Sequence, residues 1–156
     1  MTKAFRLTFL LICVDAHFMN DLTCMCISLR KAANNISKLY DNELSVLDIK
    51  ITQYSALKNI QALGNPSVNE LSKKLDLERT TVLRNLDKLK KMDLISYKKN
   101  DVYKVKVISL TVNGRKKLND AKVIWGKTQQ KFLNAFGLSN KNQFDSLMNK
   151  ISKLNF

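Results

Sequence analysis

The chain has 156 residues, of which 45% are hydrophobic and 26% charged, a composition typical of folded globular proteins and unlike that of disordered or fibrous chains. Its 27 basic and 13 acidic residues give a net charge of +14, which attracts a polyanion, although a lysine-rich composition without function is the plain alternative. Three cysteines and one histidine are too few for a disulfide framework or a structural zinc site, so no metal or other cofactor is expected.

The first 20 residues combine basic positions with a short apolar run over residues 3–14. The run is too short to span a bilayer, and no clean small-residue cleavage pattern precedes Asp15. Two interpretations stay open: a helical arm that packs on a partner subunit, or a start of translation at Met19. Both favour a cytoplasmic protein with reduced thiols and no membrane contact over a secreted one.

The next segment predicts a long amphipathic helix over residues 22–44. Apolar residues recur there at spacings of three and four, at Leu22, Cys26, Leu29, Ala33, Ile36 and Tyr40, so one stripe should be buried. A second helix is predicted over residues 52–63, and the run Gly64-Asn65-Pro66 should end it.

Two short helices with an abrupt turn between them are predicted next. Ser67 and Glu70 form a capping-box pattern that opens a helix reaching Leu75. After a break at residues 76–77, a further helix should run over residues 78–92 with Val82, Leu86 and Leu89 on its inner stripe. This arrangement is a helix-turn-helix.

A β-hairpin follows the helix-turn-helix. Residues 94–99 and 103–110 are rich in β-branched and aromatic residues, and the chain can turn at Asn100-Asp101. Thr111 should cap a long helix, and a last helix should follow Gly137. Their apolar positions are Leu118, Ala121, Trp125, Phe132 and Phe136 in the first and Phe144, Leu147, Met148, Ile151 and Leu154 in the second.

The predicted fold is therefore mainly α with a small β-hairpin wing, of class α+β. Residues 1–156 form one domain, in which residues 51–110 make a winged helix-turn-helix. Residues 21–50 and 111–156 make a dimerisation region, because they carry more apolar surface than the small reading head can cover. A solitary helical interaction bundle is the alternative, but it would not need the hairpin.

Polar residues on the outward side of the helix over residues 78–92 have the chemistry of a major-groove reader. Arginine can bind guanine through two hydrogen bonds, asparagine can bind adenine, and threonine can contact phosphate or a thymine methyl. An outward leucine can pack on a thymine methyl. A solvated polar face is the alternative. The predicted DNA-binding residues of this region are Ser67, Arg79, Thr80, Thr81, Leu83, Arg84, Asn85 and Lys88.

The wing adds four lysines to this set, at Lys98, Lys99, Lys104 and Lys106. They could straddle a phosphate backbone or enter a narrow minor groove. Exposed lysines on an edge hairpin also protect against aggregation. The position of the wing directly after the recognition helix favours the DNA interpretation.

From about residue 22 to residue 138 the chain resembles the MarR family of winged helix-turn-helix regulators. The residues that carry the resemblance are TQYSAL, VNELSKKLDLERTTVLRNLDKLKKMDLIS and SLTVNGRKKL. The resemblance implies a homodimer with interlocked terminal helices that reads a pseudo-palindromic operator in double-stranded DNA. It also implies release by a small ligand or by thiol oxidation.

The chain departs from the family pattern at two places. Val102 and Lys104 stand where the family wing usually has an aspartate and an arginine, with Asp101 one residue early. Lysine lacks the planar guanidinium fork, which weakens the expectation of minor-groove insertion. Asp93 stands where a glycine usually ends the recognition helix, so this turn should be strained or lengthened.

A redox-sensing thiol is a second hypothesis that the resemblance raises. Cys26 falls where the OhrR branch has its reactive cysteine, and Tyr40 matches one assisting tyrosine, whereas Arg30 and Ile51 replace two others. Arg30, one helical turn from Cys26, could favour the thiolate. A cysteine on an apolar stripe is more often a small packing residue, so both interpretations stay open.

The leading prediction is a sequence-specific transcriptional regulator, a repressor by family resemblance. The alternative is a nucleoid or architectural protein that binds DNA without choosing its sequence. An enzyme is not expected, because one histidine and four glycines do not assemble a known catalytic set.

Overall fold

A computed structural model describes residues 24–99 and 106–154. The chain divides into two compact units, residues 1–38 and residues 39–156. The described part of the first unit is helical, and the packing discussed below belongs to the second. Within the described residues, no helix is both long enough and apolar enough to cross a membrane.

The structure confirms the predicted order of elements. The helices are α1 (Met25–Leu44), α2 (Ile51–Leu63), α3 (Val68–Leu75), α4 (Arg79–Lys91), α5 (Val112–Phe136) and α6 (Leu138–Ile151). The strands are β1 (Ile95–Lys99) and β2 (Lys106–Leu110), between α4 and α5. A short 3-10 helix, Ser45–Leu47, joins α1 to α2 and was not predicted.

The strands form an antiparallel hairpin in which Ile95 pairs with Leu110 and Lys99 pairs with Lys106. The predicted turn at residues 100–101 lies outside the described residues. The backbone N–H of Ile108 also donates to the carbonyl of Pro66 at 2.8 Å, which fastens β2 to the connection between α2 and α3.

One hydrophobic core holds the winged head together. It joins α2, α3, α4 and both strands to the first half of α5, and its largest fully buried side chains include Leu57, Ile60, Leu71, Leu86 and Ile108. The α4 residues Val82, Leu86 and Leu89 are each no more than 1% exposed, so the predicted inner stripe is confirmed.

The helix ends follow signals that are local in the sequence. Gly64 ends α2 in the left-handed conformation with φ of 65°, where glycine has no side chain to strain. The side chain of Thr111 caps α5 by accepting a hydrogen bond from the N–H of Gly114 at 2.9 Å. Both features were predicted from the sequence, because such caps involve residues only a few positions apart.

The terminal helices bury fewer apolar side chains than the sequence predicted. In α1 only Tyr40 and Leu44 are buried, whereas Cys26 and Ala33 are exposed. No residue of α6 is buried, and Leu138 and Leu147 are 70% and 55% exposed. A single protomer therefore leaves these apolar positions open to solvent.

The first turn of α5 lies directly against the residue that precedes β1. A Cβ atom at Gly114 would be 1.9 Å from the backbone oxygen of Leu94, and that oxygen also accepts a hydrogen bond from the N–H of Thr111 at 3.1 Å. Only glycine permits this approach. The start of α5 is thus attached to the end of the recognition helix through backbone atoms.

We expect Gly114→Ala to lower the free energy of unfolding by about 2–3 kcal/mol, because the added methyl group must displace rigid backbone. Gly126→Ala is the matched control in the same helix, since nothing lies within 4 Å of a Cβ atom there. The control should raise stability by about 1 kcal/mol through helix propensity. Urea unfolding of both variants measures the difference, and equal effects would contradict the close approach.

Candidate nucleic-acid interface

Helices α3 and α4 form the predicted helix-turn-helix. Ser67 caps α3: its Oγ accepts from the N–H of Glu70 at 3.3 Å, and the Glu70 carboxylate accepts from the N–H of Ser67 at 2.7 Å. These bonds from the Ser67 backbone and hydroxyl lower the pKa of Glu70. Asp76 ends α3 with φ of 52°, and the N–H of Leu77 donates to the carbonyl of Ser72 at 3.1 Å. The chain therefore reverses within a few residues.

Opposite its buried stripe, α4 presents an exposed polar face. The exposed residues include five of the predicted DNA-binding positions, namely Arg79, Thr80, Thr81, Arg84 and Lys88. Since Val82, Leu86 and Leu89 fix the inner side of the helix, the exposed residues from Thr80 onward point away from the core and are accessible to the groove of a DNA duplex. Arg79 lies one turn before Val82 and is exposed as the first residue of the helix.

The structure gives Asn85 a different environment from the one predicted. Its side chain is half-buried, and Nδ2 donates to the backbone carbonyl of Thr52 in α2 at 3.0 Å. Reading adenine through two hydrogen bonds needs the amide nitrogen, which is directed here towards the neighbouring helix. Asn85 thus lies on the flank of α4 and joins it to α2.

Two other predicted residues are also less available than expected. Leu83 is half-buried, so it does not project fully outward because it lies beside the packed side of α4. The Ser67 hydroxyl donates to the Glu70 carboxylate at 2.8 Å, so its proton is used within the capping box. Both positions remain at the margin of the exposed face.

The wing presents lysines beside this face. Lys98 and Lys106 are exposed. Lys99 occupies the last position of β1 and pairs with Lys106. Lys104 lies outside the described residues, as do Asp101 and Val102, where the sequence departs from the family pattern. Two of the four wing lysines are therefore available to a phosphate backbone in the part of the wing that the structure describes.

The base of the wing is attached to α4 through Tyr97. The Nζ of Lys90 lies 5.7 Å from the centre of the Tyr97 ring, a cation–π geometry. Burial raises the pKa of the Tyr97 phenol, and the charge of Asp87 adds to the increase. This contact links α4 to β1, the strand that carries Lys98.

Besides Lys90, sequence reasoning missed two exposed charges of α4, Asp87 and Lys91. Helical geometry places both on the side opposite Val82 and Leu86, so the same projection that selected Arg84 would have selected them. An acid at the centre of this face repels phosphate and can accept a hydrogen bond from a cytosine amino group.

The three residues of the predicted thiol site lie in α1. Cys26 and Arg30 are exposed. Tyr40 is buried, its hydroxyl donates to the side-chain oxygen of Gln129, and burial raises the pKa of its phenol. Redox sensing by Cys26 stays a prediction.

The chain is similar to known proteins across most of its length. A sequence model described as the MarR family matches residues 49–102, which include α2, α3, α4 and β1. MosR of M. tuberculosis, in a structure with DNA, is 26% identical with a TM-score of 0.70, over 85% of this chain and all of that one.

Two further structures share the fold at lower identity. A mutant of MarR from E. coli complexed with operator DNA is 20% identical, covers 81% of this chain and 92% of that one, and has a TM-score of 0.75. CouR, described as a transcriptional repressor bound to p-coumaroyl-CoA, is 18% identical over 85% of this chain and 94% of that one, with a TM-score of 0.77. Residues 49–102 thus match the MarR family, and the chain shares the fold of these winged helix-turn-helix proteins.

Proposed function

We propose that this chain works as a cytoplasmic homodimer that binds a pseudo-palindromic operator in double-stranded DNA and regulates transcription. The observation that carries the proposal is the exposed face of α4 with Thr80, Thr81 and Arg84, together with the exposed wing lysines Lys98 and Lys106. This face pairs groups that read base edges with groups that bind phosphate. Its chemistry is that of recognition, and we infer that the chain is not an enzyme.

Two observations favour a sequence-specific regulator over an architectural binder. The net charge of +14 supplies affinity for any duplex, but it does not explain a helix with an arginine and a threonine one turn apart on one face. The E. coli MarR mutant, which shares this fold, was solved in complex with operator DNA, and the same mode of binding is part of the proposal for this chain.

The uncovered terminal helices support the homodimer. Phe144, Leu147 and Leu154 of the C-terminal segment are each at least 40% exposed in the protomer, and so is Ile27 of α1. Phe144 and Leu147 lie one turn apart on α6, and apolar surface of this kind is normally covered by a partner. A second copy of the chain would bury it and would place two recognition helices side by side.

The mode of regulation rests on the family resemblance alone. Repression, with release by a small molecule or by oxidation, is the mode that it implies. CouR combines the description of a repressor with a bound p-coumaroyl-CoA. The class of effector that acts on this chain is part of the proposal. Because Cys26 is exposed on α1, the candidates include oxidants as well as small ligands.

The homodimer predicts a sedimentation mass of about twice the 17.9 kDa of the chain. Leu147→Asp should shift the protein towards monomer, because it places a charge on the apolar side of α6. Asn149→Asp adds the same charge on the opposite side of that helix and should leave the dimer intact. A monomeric wild type at micromolar concentration would contradict the proposal.

The base-reading role of α4 predicts that Arg84→Ala loses about 1–3 kcal/mol per half-site on the preferred operator and much less on random DNA. Selection from a random library should recover inverted repeats with half-sites about 10 base pairs apart. Lys127→Ala, which removes one exposed positive charge from α5, is the control and should keep the preference. Recovery of no motif by the wild type would favour the architectural binder.

The phosphate-binding role of the wing predicts a change in salt dependence. Lys98→Ala should weaken binding to every duplex by a similar factor and lower the slope of log affinity against log salt by about one unit per subunit. Titrations at several salt concentrations, on operator and on random DNA, measure both effects. A changed preferred sequence would instead assign Lys98 to base reading.

A further inference from the structure

The turn after α4 is the place where the recognition helix meets α5. Asp93 adopts φ of 54°, its N–H donates to the carbonyl of Lys90 at 3.0 Å, and the N–H of Leu94 donates to the carbonyl of Leu89 at 2.9 Å. These two bonds define a Schellman motif. The aspartate that replaces the usual glycine therefore takes the left-handed conformation, and the turn is strained but not lengthened.

Four contacts cross from this turn to the first residues of α5. The Thr111 hydroxyl donates to the carbonyl of Asp93 at 2.7 Å, and the Thr111 N–H donates to the carbonyl of Leu94 at 3.1 Å. Gly114 lies against the backbone of Leu94. Finally, Nδ2 of Asn113 donates to Oδ2 of Asp93 at 2.9 Å.

Three of these contacts involve only the backbone of the turn, so a glycine at position 93 would keep them. The bond from Asn113 to the carboxylate is the one contact that needs a side chain at Asp93. An aspartate in the left-handed conformation is less favourable than glycine. The strained residue thus adds a link between the recognition helix and α5 that the relaxed residue cannot make.

We propose that Asp93 is a positioning residue for DNA recognition, whose bond to Asn113 adds to the backbone contacts that set the angle between the recognition helix and α5. This inference rests on the proposed function, because α5 belongs to the proposed dimerisation region. In a dimer, that angle sets the separation of the two recognition helices and hence the accepted spacing of half-sites. One added base pair moves a half-site by about 3.4 Å and rotates it by roughly one tenth of a turn.

The test compares two neutral replacements of Asp93. Asp93→Asn keeps an oxygen acceptor for Asn113 and tolerates the left-handed conformation, whereas Asp93→Gly keeps the backbone and loses the acceptor. Both remove the same negative charge, so both gain the same non-specific attraction to DNA. The difference between them isolates the hydrogen bond.

The measured quantity is the affinity for the selected operator relative to operators with one base pair inserted or removed between the half-sites. We expect Asp93→Asn to keep the wild-type ratio and Asp93→Gly to lower it three- to tenfold. Introduced into the wild type, Asn113→Ala should lower this affinity ratio by the same factor as Asp93→Gly. Introduced into Asp93→Gly, it should cause no further loss. The melting temperature of Asp93→Gly should equal or exceed that of the wild type, which a merely structural role would not produce.

The outcomes separate this inference from the proposed function. If the wild type selects no operator, the proposed function fails. If the wild type discriminates spacing and Asp93→Gly discriminates equally well, the positioning role is overturned while the regulator remains. The positioning role is also overturned if Asp93→Asn loses as much discrimination as Asp93→Gly, since charge would then be the cause.

Discussion

The burial of Val82, Leu86 and Leu89 is the constraint on which the reading surface depends. Their side chains are almost completely removed from water, at a gain of roughly 1.5–3 kcal/mol each. Rotating α4 about its axis would expose them, so the rotation of the helix is determined by its inner side. The residues opposite, Arg84 and Thr81 among them, are held outward by apolar packing that they do not share.

Further contacts fix α4 along one side and at its C-terminal end. Asn85 joins it to α2 through the carbonyl of Thr52, and Lys90 joins it to the wing through the ring of Tyr97. At the end, the Schellman turn passes the chain to β1 while its carbonyls bind the start of α5. A rigid reading helix is useful for specificity, because base contacts require the donor and acceptor atoms to be preorganised.

The basic residues and the exposed apolar residues of this chain contribute to different interactions. The excess of basic residues attracts a duplex regardless of its sequence, and this attraction weakens with salt. The exposed apolar residues of α6 do not contribute to that attraction. In the proposed dimer they would connect DNA recognition to assembly, because a second subunit that covers them would bring a second copy of α4 with it.

The sequence by itself determined the helices, the hairpin and the inner side of α4, since these follow from spacings and caps within three or four residues, as with Ser67 and Glu70. Only the tertiary structure decided the surroundings of residues on the margins of helices. Asn85 meets a carbonyl 33 positions earlier, and Tyr40 meets Gln129 from α5. A helical projection gives the angle of each side chain around the helix axis. It does not show which other element packs against the side chains at the edge of the buried stripe. A strained or lengthened turn at Asp93 was expected from the family pattern. Its left-handed conformation and its bond to Asn113 depend on how α5 packs against the turn.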